Sequence, residues 1–154
     1  MKVSVLILQQ QWSFSRVIID SMQNILVTSA GKRVVLVELF KRALKACDQA
    51  AKVYTTDLNP ELAPAGIASD KCFRVPRVLS SDYISILLNI CVRNNIGMVI
   101  PTIDTELLVL SQNKQKFYDK GIALIISDFS FIQLCRDNSN TAIFFHEIGI
   151  RIPA

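Results

Sequence analysis

One histidine, one tryptophan, five glycines and five prolines are all that this chain of 154 residues holds of those types, and each scarcity removes an explanation. A single imidazole, His146, cannot supply a metal cluster, and no Ser-His-Asp order or H-E-x-x-H signature accompanies it. It is expected partly exposed near a helix C-terminus. Cys47, Cys72, Cys91 and Cys135 lie too far apart for a C-x-x-C zinc or redox pair, so they are expected as buried, reduced thiols acting as small hydrophobes. No apolar run comes near the roughly eighteen residues that a bilayer crossing needs, which argues against a membrane protein. The stretch from Val3 to Leu8 is too short for a secretion signal and has no small-residue cleavage site after it, so the chain is read as cytoplasmic. Basic residues outnumber acidic ones by 17 to 13, yet they are scattered and form no stripe with aromatics, so nucleic acid is not an expected partner.

Hydrophobic residues, by contrast, make up 51% of the chain and charged residues 19%, enough apolar material for one folded domain. Asn24 to Ser29 is a short apolar run ending in small residues, a buried strand leading into a turn at Ala30-Gly31. From Lys32 to Cys47, Leu36, Phe40, Ala43, Leu44 and Cys47 recur at three and four, with Glu38, Lys41, Arg42 and Lys45 opposite: an amphipathic helix. Lys52 to Thr56 and Cys72 to Val75 read as strands, and Ala63-Pro64-Ala65-Gly66 between them allows only a short helical turn. Ser81 reads as the N-cap of a helix striped by Ile84, Leu87, Leu88 and Cys91. Gly97, Gly121 and Gly149 each precede an apolar run (98–100, 122–126 and 150–152), as where a helix ends in a left-handed residue and hands the chain to a strand. A last helix is expected from about Ser139 to Ile148.

Strands that alternate with helices and are apolar throughout indicate parallel pairing covered on both faces. The expected architecture is α/β: a Rossmann-like, doubly wound, mainly parallel sheet of about five strands with helices on both faces. Residues 1–23 stand before it. Val3 to Leu8 can form a strand, and Phe14, Val17, Ile18 and Met22 can line a helix, so they are read as an extension packed on the domain, against the alternative of a loosely attached one.

In such a sheet ligands bind outside the carboxyl ends of the strands. The first loop there, Thr28-Ser29-Ala30-Gly31-Lys32-Arg33, has one glycine where a dinucleotide fingerprint needs three, and Arg33 stands where a P-loop needs Ser or Thr. What remains is a small-residue turn with two cations at a helix start, suited to a phosphate or carboxylate. The alternative is a tight turn with solvated cations. Asp57 can accept from a ribose, or with Asn59 cap a local turn before Pro60. Thr102, Asp104, Thr105 and Glu106 gather hydroxyls and carboxylates at a fourth strand end. Thr102 or Asp104 is expected to cap the helix there, and the group can also orient an amine, a hydroxyl or a metal-bound ligand.

Taken in order, N-I-L-V-T-S-A-G-K-R at 24–33, T-D-L-N-P at 56–60, A-P-A-G-I-A-S-D at 63–70, I-P-T-I-D-T-E-L at 100–107 and G-I-R-I-P at 149–153 resemble the pre-ATP-grasp domain, the N-terminal lobe of ATP-grasp ligases similar to the carbamoyl phosphate synthase large chain. Such ligases join a carboxylate to an amine, ammonia or thiol through an acyl phosphate. The resemblance implies a pre-ATP-grasp domain over 24–154, with Ser29, Gly31, Lys32, Arg33, Asp104, Thr105 and Glu106 on the wall of a site for a small carboxylate or amine. Asp57, Asn59 and Thr102 complete the candidate substrate-binding residues. It implies no catalytic, metal or cofactor residue in this chain, because ATP and Mg²⁺ are held by two later lobes, in the same or a separate chain. A homodimer is compatible with it. Asp137 is followed by Asn138 where the family has Asp-Lys. The sequence closes at Pro153-Ala154, where similar proteins enter those lobes, so the chain alone is expected not to catalyse ligation, whether it is a truncated product or half of a split enzyme. A non-catalytic Rossmann-like nucleotide-binding or protein-interaction module is the alternative.

Overall fold

The run N-I-L-V-T forms β1 (Asn24–Thr28), the central strand of the sheet, in a computed structural model that describes residues 24–150. The expected extension at 1–23 and most of the run at 150–152 lie outside the described residues. After β1 come α1 (Val34–Cys47), β2 (Val53–Asp57), a 3₁₀ turn (Pro60–Leu62), α2 (Pro64–Ala68) and β3 (Lys71–Arg74). The chain continues through α3 (Tyr83–Arg93), β4 (Ile96–Pro101), α4 (Asp104–Gln112), α5 (Lys114–Tyr118), β5 (Ala123–Leu124), α6 (Phe129–Cys135) and α7 (Asn138–Glu147). The five strands pair in parallel in the order β3-β2-β1-β4-β5. This is the α/β Rossmann-like architecture expected.

Each face of the sheet has its own core. On one, Ile25, Val27 and Val53 pack with Val37 of α1 and Ala65 of α2. On the other, Leu26, Val99 and Leu124 meet Tyr83, Leu87 and Cys91 of α3, Leu110 of α4 and Phe117 of α5. Connections that step in opposite directions across the sheet thus carry their helices on opposite faces, as right-handed crossovers require. Among the described residues no helix is long and apolar enough to cross a membrane.

Several local expectations are corrected. Asp82, not Ser81, occupies the N-cap position of α3, with no side-chain cap bond. The left-handed residue before β4 is Asn95 (φ 49°), and Gly97 lies inside the strand. Gly121 (φ 71°) does occupy the left-handed position before β5. The apolar run at 122–126 yields a strand of only two residues, at the sheet edge. Of the four thiols only Cys91 is buried; Cys72 is half-buried, and Cys47 and Cys135 are exposed. His146 is exposed in the last turn of α7, as expected.

Gly66 is where α2 comes down on β3. A methyl group there would sit 2.9 Å from both Cβ and Sγ of Cys72. Cβ of Cys72 is fixed to the strand and cannot yield as a side-chain tip could. Gly66→Ala is therefore expected to destabilise the domain by about 1–3 kcal/mol through overpacking. Urea unfolding reads this as a lower midpoint at unchanged slope. A midpoint equal to that of the parent chain would contradict the close approach.

Candidate functional site

The strand order reverses at β1: the chain steps through β2 and β3 to one side, then returns to lay β4 and β5 on the other. In an open parallel sheet this switch point splays the loops after the two central strands and leaves a crevice between them. Here those loops are Ser29 to Arg33, after β1, and Thr102-Ile103, after β4.

The first loop is fastened from both sides. The Ser29 amide donates to Thr56 Oγ1 at 3.3 Å, the Ala30 amide to Thr56 O at 3.2 Å, and the Ala65 amide to Gly31 O at 3.0 Å. Ser29 (φ 47°) and Gly31 (φ 48°) both take left-handed backbone. On the β4 side, Thr102 Oγ1 donates to Thr28 O and Ser29 O, each at 2.9 Å, and Arg33 Nη2 donates to Thr102 O at 2.7 Å. Thr102 therefore ties the two loops together and does not cap α4. The cap position belongs to Ile103, Asp104 is the first helical residue, and neither makes a side-chain cap bond.

Beneath the loops Glu106 is completely buried. Its carboxylate accepts from Thr28 Oγ1 at 2.5 Å, from Tyr83 Oη at 2.8 Å and from Ser29 Oγ. These donors come from β1, α3 and the β1 loop, so one carboxylate gathers three elements. Burial first, and then the charge of Glu106, hold the Tyr83 phenol well above its ordinary range. It therefore remains an O–H donor at neutral pH. Among the described residues no buried side-chain nitrogen or oxygen is left without a partner. Full satisfaction of such a network favours one fixed loop geometry. Glu106 thus acts from below the crevice, as a positioning group for Ser29.

Apart from Thr102 and Glu106, the candidate residues divide among three places on the same rim. Ser29, Gly31, Lys32 and Arg33 line an open crevice of about 630 Å³ with Val35 and Ile103. Lys32 and Arg33 are exposed there, and no side chain caps the start of α1. The positive end of a 14-residue helix and two cations therefore face the same opening. Asp104 and Thr105 line a second cavity, about 580 Å³, between α4 and α6, with Leu107, Phe131 and Arg136. Asp57 and Asn59 form a local turn: the Asn59 amide donates to Asp57 Oδ1 at 2.9 Å, and Asn59 Oδ1 accepts from Arg74 Nη1 at 3.3 Å. Arg74 also grips both oxygens of Glu61, at 2.6 and 2.7 Å. The Glu61 carboxyl is held below its ordinary value, first by its own backbone amide and next by Arg74.

Thr28, Thr56 and Tyr83 belong to the site's framework and were missed in the sequence. For Tyr83 there was a signal: a tyrosine on the buried stripe with Leu87 and Cys91 needs an acceptor for its hydroxyl. Among the described residues no three His, Cys, Asp or Glu side chains gather to hold a metal ion.

A parallel sheet whose central loops form a cationic crevice at the switch point belongs to the Rossmann-like class of α/β ligand-binding architectures. The family described as PylC-like, N-terminal domain matches residues 25–125, and the chain belongs to that family. The fold is similar to an L-amino acid ligase from Bacillus licheniformis, with a TM-score of 0.59 at 14% identity over 86% of this chain and 32% of that one. It is also similar to the biotin carboxylase domain of a single-chain bacterial carboxylase, with a TM-score of 0.58 at 12% identity over 86% of this chain and 30% of that one. A third likeness is to the biotin carboxylase domain dimer of Hydrogenobacter thermophilus 2-oxoglutarate carboxylase, solved with MgADP, ADP and bicarbonate. There the TM-score is 0.55 at 13% identity, over 84% of this chain and 28% of that one. At these identities the likeness is one of fold, and the chain spans about a third of the length of the structures it matches. No curated protein matches it significantly in sequence.

Proposed function

We propose that this domain forms the substrate-side wall of a cytoplasmic ATP-grasp ligase of the carbamoyl phosphate synthase type, which joins a small carboxylate to an amine or ammonia. ATP and Mg²⁺ belong to ATP-grasp lobes in the same or a separate chain. The observation that carries this reading is the crevice at the switch point, where Lys32, Arg33 and the start of α1 face one opening while Glu106 holds its floor from below. That charge pattern suits a carboxylate or an acyl phosphate, whose oxygens accept from cations and free amides alike. Asp104 and Thr105, in the neighbouring cavity, offer an acceptor and a hydroxyl to the amine partner.

The purified chain given ATP, Mg²⁺, a carboxylate and ammonia is expected to release no phosphate, and addition of its ATP-grasp lobes is expected to start release. Ligation by the chain alone would overturn the division of labour. In the assembled enzyme, Lys32→Ala is expected to raise KM for the carboxylate about tenfold or more, the loss of one charge-assisted hydrogen bond. Because Lys32 is exposed, its melting temperature should not move. An unchanged KM would remove Lys32 from the substrate wall.

A further inference from the structure

The cavity between α4 and α6 is built from three elements. α4 brings Asp104, Thr105 and Leu107, α6 brings Phe131 and, at its end, Arg136, and the loop between β3 and α3 brings Leu79. Its volume of about 580 Å³ lies within the range of sites that enclose a small molecule. One wall is fastened from outside: Asp128, at the N-cap position of α6, is held by Lys114 Nζ of α5 at 3.1 Å. The inner side of α4 is engaged elsewhere, with Glu106 in the buried network and Leu110 in the core.

Two features of this cavity have no use in the fold. Asp104 and Arg136 carry opposite charges, yet their side chains pair neither with each other nor with any described neighbour. Leu79 is 88% exposed and Phe131 42%, apolar surface left in water beside those charges. A helix dipole can account for a carboxylate at the start of α4 and a cation at the end of α6, but it leaves the exposed leucine and phenylalanine without a reason. A ligand accounts for both features. Covering an unpaired charge is costly unless what covers it brings the opposite charge. A monoanion seated here would leave Asp104 bare, and a simple amine would leave Arg136 bare. A ligand that carries an ammonium, a carboxylate and an apolar body satisfies each part of the wall.

We infer that the amine partner of this domain is an α-amino acid with a branched or aromatic side chain, its ammonium at Asp104 and Thr105, its carboxylate at Arg136 and its side chain against Leu79, Leu107 and Phe131. The inference rests on the assignment of Asp104 and Thr105 to the amine side, and it narrows amine or ammonia to one class. Ammonia would fill a small part of the cavity and leave its apolar wall in water. Phe131 also ties the site to the end of the domain: its ring meets that of Phe144 in α7 edge-on, with 6.1 Å between centroids. A side chain resting on Phe131 is therefore felt in α7.

Amide chemical shifts of the isotope-labelled full chain, titrated with L-leucine and with L-phenylalanine, test this. Shifts are expected at Thr105, Phe131, Arg136 and, through the ring contact, Phe144, saturating in the millimolar range. Isopentylamine, which is leucine without the carboxylate, and isocaproate, which is leucine without the ammonium, should each bind about tenfold more weakly, the loss of one charge-assisted contact. Glycine should cause no shift. Arg136→Gln is expected to erase the preference for leucine over isopentylamine, Asp104→Asn the preference over isocaproate, and Leu79→Ala to weaken leucine. All three positions are exposed, so melting temperatures should not move, and a role confined to the helix dipoles would leave the preferences unchanged. Three results would overturn the inference: no shift with either amino acid at tens of millimolar, shifts confined to residues 29–33, or glycine bound as well as leucine. Phosphate release by the assembled enzyme tells this failure from that of the ligase reading. Use of ammonia with no leucine bound here removes the inference alone, and leucine bound here in an assembled enzyme that ligates no amine removes the ligase reading alone.

Discussion

Replacing Glu106 with alanine is expected to destabilise the domain by about 3–5 kcal/mol, because three hydroxyls lose their acceptor at about 1–3 kcal/mol for each one left unsatisfied and a cavity opens beside them. For a chain of this size that corresponds to a fall in melting temperature on the order of 10 °C. The carboxylate is the common acceptor for Thr28, Ser29 and Tyr83, so its loss leaves three hydroxyls facing a cavity in place of one shared partner. Glu106→Gln keeps the shape and one oxygen but brings an NH₂ among three donors, and should lose about half as much. The two variants separate charge from packing, because the glutamine removes the charge and leaves the volume. Ser29 should respond most sharply: with its hydroxyl unpaired, its left-handed backbone is left to the bond its amide donates to Thr56 and the one its carbonyl accepts from Thr102. Amide exchange at residues 29–33 should therefore accelerate in Glu106→Ala more than exchange in β3. Thermal melts within about 1 °C of the parent chain would show that the carboxylate is not what holds the crevice floor.

The framework was legible because its signals are local. The small-residue end of β1, the 3-and-4 spacing of α1 and the Pro-rich break around α2 each state their structure within a dozen residues, and the alternation of strands with helices then indicates parallel pairing; the strand order itself comes from the structure. The loop from Ser29 to Arg33 followed from the same logic, since ligands bind beyond the carboxyl ends of parallel strands, but its pairing with the Thr102 loop at a switch point needed the strand order. The partners of Glu106 were hidden because they are distant, with Thr28 78 residues away and Tyr83 23. Glu106 read as one of the carboxylates gathered at the end of the fourth strand, and nothing local says that the helix turns it inward. Thr102 read as a cap for a similar reason. The left-handed turn at Ser29 presents the Thr28 and Ser29 carbonyls to it, and that competing pair of acceptors exists only once β1 and β4 are neighbours. The exposed thiols of Cys47 and Cys135 show the limit of composition: a cysteine near a helix end is placed by the face it falls on.

Stability is expected to fall steeply as pH rises above about 9, with Cys91 as the first cause. Its side chain is wholly buried among Leu87, Ile96 and Val99, and that burial pushes the thiol from 9.0 up to about 12. Below pH 9 the thiol is protonated in both states and adds no pH dependence. Between 9 and 12 the unfolded chain releases a proton that the folded chain retains, so unfolding becomes easier with each step in pH. At about 1.4 kcal/mol per pH unit, the full window amounts to about 4 kcal/mol. Tyr83 adds to the slope above pH 10, because burial and the neighbouring Glu106 keep its phenol protonated in the folded chain after the unfolded one has ionised. Urea unfolding from pH 8 to 11.5 under reducing conditions should give Cys91→Ala a lower stability at pH 8, from the small cavity, and a shallower decline above 9. Tyr83→Phe should be shallower only above 10. The difference in slope carries the test, since all other residues are common to the three chains. Parallel curves for the parent and Cys91→Ala across that range would mean that the thiol reaches solvent, and the packing of α3 on β4 described above would be wrong.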